Sequence, residues 1–141
     1  MRSTPADREL ATRLRLALAR AARRLRQEGG TDLSPSLTAA LATIERRGPL
    51  TPSELAARER VARPTVTRIA CRLEAAALVT RTADPADGRS SLITVTPSGR
   101  ALLAAARTRK DAFLSERLDA LAPEDRATLE RAAALLEGMV E

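Results

Sequence analysis

TPSELAARERVARPTVTRIACRLEAAALVTRTADPADGRSSLITVTPSG, running from Thr51 to Gly99, is the stretch on which the fold turns. Its first half spells two short amphipathic helices, one from Pro52 and one from Arg63 or Pro64 to about Ala77, joined by a tight turn near Glu59 to Ala62. Leu55, Ala56, Val61, Val66 and Ile69 fall where a helix-turn-helix needs buried groups, with small Ala56 where the helices cross. Its second half holds two β-rich runs, Val79 to Ala83 and Leu92 to Thr96. They flank a charged tip carrying Asp84, Asp87, Gly88 and Arg89. A helix-turn-helix followed by a basic hairpin is the expected unit.

Working outward, proline marks the organisation. Thr4-Pro5, Ser34-Pro35, Thr51-Pro52 and Thr96-Pro97 each set a capping hydroxyl before a proline, the preferred opening of a helix. Thr51 with Glu54 also makes a capping-box pattern. The first helix runs from about Pro5 to Gln27 and stops at Gly29-Gly30, with Leu10, Leu14, Leu18, Ala21 and Leu25 on one stripe. A second, about Pro35 to Arg47, buries Leu37, Leu41 and Ile44. A long helix starts at Pro97 and a last one at Pro123, the latter carrying Leu129, Leu135, Leu136, Met139 and Val140. The first helix and the last two are expected to fold back together as a second layer. Their apolar stripes have two readings: core within one chain, or a helical dimer interface through Leu10, Leu14, Leu18, Leu129, Leu136 and Met139.

Composition narrows the class. The 141 residues fit one domain, and Leu, Ala and Val dominate an apolar share of 44% in which Phe113 is the single aromatic. Such side chains pack well between helices and poorly as a large sheet. The fold class is therefore mainly α with a small β-hairpin wing. It divides into a winged helix-turn-helix region at about 34–99 and a helical dimerisation region at about 5–33 and 100–141. A net charge of +6 points to a polyanionic partner, nucleic acid before membrane. All of the 24 basic residues but Lys110 are arginine, a bias that partly reflects GC-rich coding and carries little weight alone.

The same inventory excludes chemistry. With no histidine and one cysteine, a transition-metal site and Ser-His-Asp or Cys-His catalysis lack their side chains. The carboxylates are scattered over helical surfaces, so neither an enzyme nor a cofactor is expected. No apolar run reaches the roughly 20 residues of a membrane span. The N-terminus has no signal-peptide core, and a lone cysteine suits the cytoplasm.

A helical wheel sorts the second helix of the central unit. Val66, Ile69, Ala70, Leu73 and Ala77 share the core face; Pro64, Arg68, Cys71 and Ala75 lie opposite, with Thr67 and Arg72 on the flanks and Thr65 at the leading end. Arg68 can bond a guanine edge in bidentate fashion, and Thr65 or Thr67 a base or phosphate. Arg63 and Arg72 suit phosphate. In the hairpin tip Arg89 can slide into a narrow, electronegative minor groove. Asp84 or Asp87 would then hold Arg89 or Arg81 by a charged hydrogen bond. Double-stranded DNA is the expected partner.

At this point the chain resembles the MarR family of bacterial winged-helix regulators. The motifs TPSELA, PTVTRIACRLEAAALVTR, DPADGR and TPSGRALL carry the resemblance in order, and it spans nearly the whole chain. It implies a homodimer, a palindromic operator and, often, a small-molecule effector seated between the dimer helices and the DNA-binding unit. It also implies a major-groove role for the helix with Thr65, Thr67 and Arg68, and a minor-groove role for Arg89, with Asp87 matching. The turn departs from the pattern: Glu59 and Arg60 stand where the family has leucine and then glycine. Arginine at positive φ costs on the order of 1 kcal/mol, so another turn shape is expected, with Glu59 free to pair with Arg58 or Arg63.

Two questions stay open at this level. Cys71 lies among arginines that would favour its thiolate, which reads either as a redox switch or as a small residue on the face. Family pockets are often aromatic, so with Phe113 alone either aliphatic and arginine groups bind an effector or there is none. The main expectation is a dimeric repressor of a pseudo-palindromic operator. The alternative is an effector-independent architectural or interaction protein on the same fold.

Overall fold

The computed structural model describes residues 3–141. Six helices and one hairpin follow in the order α1 (Pro5–Gly29), α2 (Pro35–Arg47), α3 (Pro52–Glu59), α4 (Arg63–Ala75), β1 (Val79–Ala83), β2 (Ser91–Val95), α5 (Pro97–Asp119) and α6 (Pro123–Val140). Each hydroxyl-proline pair opens a helix: Thr4, Ser34, Thr51 and Thr96 accept the backbone N–H of Asp7, Leu37, Glu54 and Gly99. At Thr51 only this half of the expected capping box forms. The complete box is at Thr4, whose own N–H donates to Asp7 Oδ2 at 2.8 Å. The Thr4 hydroxyl first, and its backbone N–H second, hold the Asp7 carboxyl below the ordinary aspartate range.

The core sits inside the central unit. Leu41 and Ile44 of α2, Leu55 of α3, Val66 and Leu73 of α4, Val79 of β1 and Ile93 of β2 are almost wholly buried. The hairpin pairs antiparallel with Val79 opposite Val95 and Arg81 opposite Ile93. Leu50, ahead of α3, adds a bridge to Ile93, with Ile93 N–H donating to Leu50 O at 2.7 Å. This bridge on the far side of β2 was not expected; it anchors the wing to the start of the helix-turn-helix.

Both ends of α4 are set by the same device. After α4 the N–H of Leu78 bonds to Leu73 O and that of Ala77 to Glu74 O, with Ala77 at φ 59°. Before α4 the N–H of Val61 bonds to Ala56 O and that of Arg60 to Ala57 O, with Arg60 at φ 54° and ψ 45°. Each is a Schellman closure, in which a left-handed residue satisfies the last carbonyls of a helix. Ala77 therefore turns the chain out of α4 and is exposed, where the wheel had placed it on the core face. Val61, expected in the core, stays 36% exposed because it lies in the closure beyond α3.

The outer helices form a partial layer. α1 packs along α5, and Arg109 Nε donates to Gly29 O at 2.7 Å. Phe113 lies between the guanidinia of Arg24 and Arg117, 5.2 and 3.6 Å from its ring centre. Glu45 of α2 pairs with Arg107 of α5 at 2.7 Å and ties the layer to the central unit. The expected three-helix layer is incomplete: α6 buries none of its residues and packs extensively on no other element. Among the described residues no helix is long and apolar enough to cross a membrane.

Candidate nucleic-acid interface

The amphipathic pattern of α4 orients it unambiguously. Val66, Ile69, Ala70 and Leu73 are buried, which turns Pro64, Thr67, Arg68, Cys71 and Arg72 to solvent and leaves Thr65 half-buried. At the leading end Arg63 donates to Ser53 Oγ of α3, and the Thr67 hydroxyl donates back to Arg63 O at 3.1 Å. Arg68 and Arg72 carry no ion pair among the described residues. Two uncompensated guanidinia thus stand on the exposed face of a helix narrow enough for a major groove.

These arginines also border a cleft of about 200 Å³ against the start of α2, lined by Ser34, Ser36, Leu37, Thr65, Arg68, Ile69 and Arg72. Sequence reasoning did not single out Ser34 or Ser36, which the fold brings beside these arginines. The signal was present, since serines around Pro35 mark a helix start, and helix starts expose backbone donors that suit phosphate.

The wing differs from its expected wiring. Asp84 Oδ1 accepts the N–H of Ala86 at 2.9 Å, and Asp87 Oδ1 accepts the N–H of Arg89 at 3.1 Å. Neither aspartate clamps the guanidinium of Arg89 or Arg81; both brace the backbone of the tip. Arg81 lies opposite Ile93, well down the ladder, so it reaches α4 instead: its Nε is 3.5 Å from Glu74 Oε2 and its Nη2 is 3.4 Å from Cys71 Sγ. Arg89 is exposed, and the space around Gly88 is open. Cys71 is an exposed thiol whose contact is Arg81, not Arg68 or Arg72.

The turn ahead of α4 corrects another expectation. Arg60 holds the left-handed conformation that glycine usually takes, so the turn keeps its shape despite a cost on the order of 1 kcal/mol. Glu59 pairs with neither Arg58 nor Arg63. Its carboxylate accepts the hydroxyl of Thr43 from α2.

A separate cavity of about 460 Å³ lies where α1, α2 and α5 meet. Arg23, Arg26 and Lys110 line it together with Thr31, Leu33 and Thr38, and no aromatic side chain takes part. Of the residues expected at a dimer interface, Leu10, Leu18, Leu129 and Met139 are exposed, Met139 at 71%, while Leu14 and Leu136 are half-buried.

Comparison with known proteins agrees with this geometry. Residues 33–91 match the model of the MarR family. Transcriptional regulators of the helix-turn-helix type from Mycobacterium tuberculosis and Mycobacterium leprae are each 39% identical over 136 residues, covering 96% of this chain and 95% of theirs. A transcriptional regulator from Pseudomonas aeruginosa PA01 superposes with a TM-score of 0.90 at 33% identity, covering 99% of both chains. A Staphylococcus aureus MepR mutant bound to an oligodeoxyribonucleotide shares the fold, with a TM-score of 0.72 at 19% identity over 94% of this chain and 98% of that one.

Proposed function

The chain belongs to the MarR family of winged helix-turn-helix, DNA-binding transcriptional regulators, and from that premise we propose a homodimeric repressor that reads a pseudo-palindromic operator. The observation that carries the reading is the outward face of α4, where Thr67, Arg68 and Arg72 stand without acidic partners among the described residues, beside a hairpin that ends in exposed Arg89. In this reading Arg68 contacts a base edge, Thr65 and Thr67 a base or phosphate, and Pro64 packs at the groove entrance. Arg63 and Arg72 hold phosphate, and Arg89 enters the flanking minor groove. Asp84, Asp87 and Arg81 support the wing at its tip and foot.

The uncovered α6 supports the dimer. A helix that buries none of its residues yet carries exposed Leu129, Leu135, Met139 and Val140 leaves an apolar strip that a second copy can cover, and α1 likewise exposes Leu10 and Leu18. Leu14 and Leu136, half-buried within one chain, belong to the same proposed seam. Residues 34–99 then act as the reading region, and the outer helices hold two such regions about one helical turn of DNA apart. The cavity among α1, α2 and α5 suits a small anionic effector, since three of its lining side chains are cationic and it adjoins both regions. We place this activity in the cytoplasm.

A salt titration on two duplexes tests the reading, one selected from a random pool by the protein and one of scrambled sequence. A repressor binds the selected duplex about a thousandfold or more tighter at physiological salt. An architectural protein on the same fold would bind both alike and share one salt slope.

A further inference from the structure

The segment that aims α4 contains two residues that are locally unfavourable, side by side. Glu59 puts a carboxylate at the C-terminal end of α3, against the helix dipole. Arg60, next to it, holds φ 54° without being glycine. Arg60 closes α3 at that conformational cost, whereas Glu59 gives α3 nothing, and a locally unfavourable residue persists only where its surroundings over-determine it. The partner Glu59 finds is Thr43, whose hydroxyl donates to its carboxylate from α2. Thr43 is itself buried, at 8% exposure, between the buried Leu41 and Ile44. Two residues further along the same helix, Glu45 is held by Arg107 of α5.

We propose that Glu59 is a positioning residue: through Thr43 it fixes the turn, and so the angle at which α4 presents Arg68 to DNA. This rests on the reading that α4 enters the major groove. α4 begins at Arg63, immediately beyond the turn, so a change in the turn is passed to the reading helix with little chain to absorb it. Base-edge hydrogen bonds are directional and fail with small misplacement, whereas phosphate contacts tolerate it. Loss of the tie therefore acts on discrimination before it acts on overall affinity.

The test uses the full chain, a duplex selected by the parent protein from a random pool, and a scrambled duplex. Glu59→Leu and Thr43→Val, with folding checked by circular dichroism, should each lower the selected-to-scrambled affinity ratio by about tenfold, the size of one lost base contact. Affinity for the scrambled duplex should stay close to that of the parent. Glu59→Gln keeps an oxygen that can accept the Thr43 hydroxyl and should retain most of the ratio. Adding Arg60→Gly to Glu59→Leu should restore it in part, because glycine holds the left-handed turn unaided. The role is overturned if Glu59→Leu and Thr43→Val discriminate as the parent does, or if both duplexes weaken equally. A parent protein without discrimination overturns the operator reading together with this one.

Discussion

Asp87 accepts the backbone N–H of Arg89 at 3.1 Å, while the Arg89 guanidinium has no ion pair among the described residues. The aspartate thus shapes the hairpin tip and leaves the cation available. A carboxylate that paired with Arg89 would compete with DNA phosphate for it; one that holds the backbone does not.

Arg89→Ala should accordingly fold and dimerise normally yet bind the operator much more weakly. Lysine should rescue only in part, because guanidinium is less strongly hydrated and suits a narrow groove better. The dependence should be greatest where the flanking base pairs are A·T. Equal binding of Arg89→Ala and parent to such a duplex at the same salt would exclude the wing as a contact.

Arg68→Ala removes a side chain that carries no ion pair among the described residues, so its effect should fall on DNA. It should cost about 1–3 kcal/mol on the selected duplex and much less on a scrambled one. A loss of the same factor on both would make Arg68 a phosphate contact.

Leu129→Glu and Met139→Glu place a charge on exposed positions of a helix that buries nothing in one chain. The fold of each chain should survive, and light scattering should show a shift toward monomer, because a charge would be buried unpaired in the seam. Dimers as tight as the parent's would move the interface away from α6.

Gly99→Ala tests how the wing is seated on α5. A Cβ at Gly99 would collide with the carbonyl oxygen of Leu78 and lie 2.8 Å from Val95 Cγ2. Backbone must move to admit it, at a cost of about 1–3 kcal/mol, so a clear fall in Tm is expected. An unchanged melting curve would show that α5 moves freely away from Leu78 and Val95.

Acid should loosen the first turn of α1. Asp7 is held below the ordinary aspartate range by Thr4, so its contribution is present above the unfolded pKa and is lost as pH falls through the lowered folded value. Amide exchange at the N-terminus of α1 should rise on acidification, and Asp7→Asn should remove most of that pH dependence.

Much of this architecture was readable from local chemistry. The Thr4, Ser34, Thr51 and Thr96 caps act within a single turn, so each hydroxyl before a proline marked a helix start without help from distant residues. Alternation around Val79 and Val95, and the helical spacing of Val66, Ile69 and Leu73, likewise declared which side chains face inward. The exposed positions of α4 follow from the helical period, and the tip arginine from the Asp-Gly-Arg turn between the two strands, which is why the candidate DNA-contacting set was legible in the sequence alone.

What local chemistry could not decide were the contacts between elements far apart in the chain. Glu59 had two nearby arginines as candidate partners, but α2 brings Thr43 to it from sixteen residues away. Arg81 looked like a partner for the tip aspartates until the ladder register set it beside Glu74 and Cys71. Arg60 and Ala77 both defy their own backbone preference, because the Schellman hydrogen bonds that close α3 and α4 outweigh a cost of about 1 kcal/mol at each. Periodicity and capping are set by neighbours within a turn or two and can be read along the chain. Pairing and strain are set by whichever surfaces the packed core brings together, and that is a property of the whole fold.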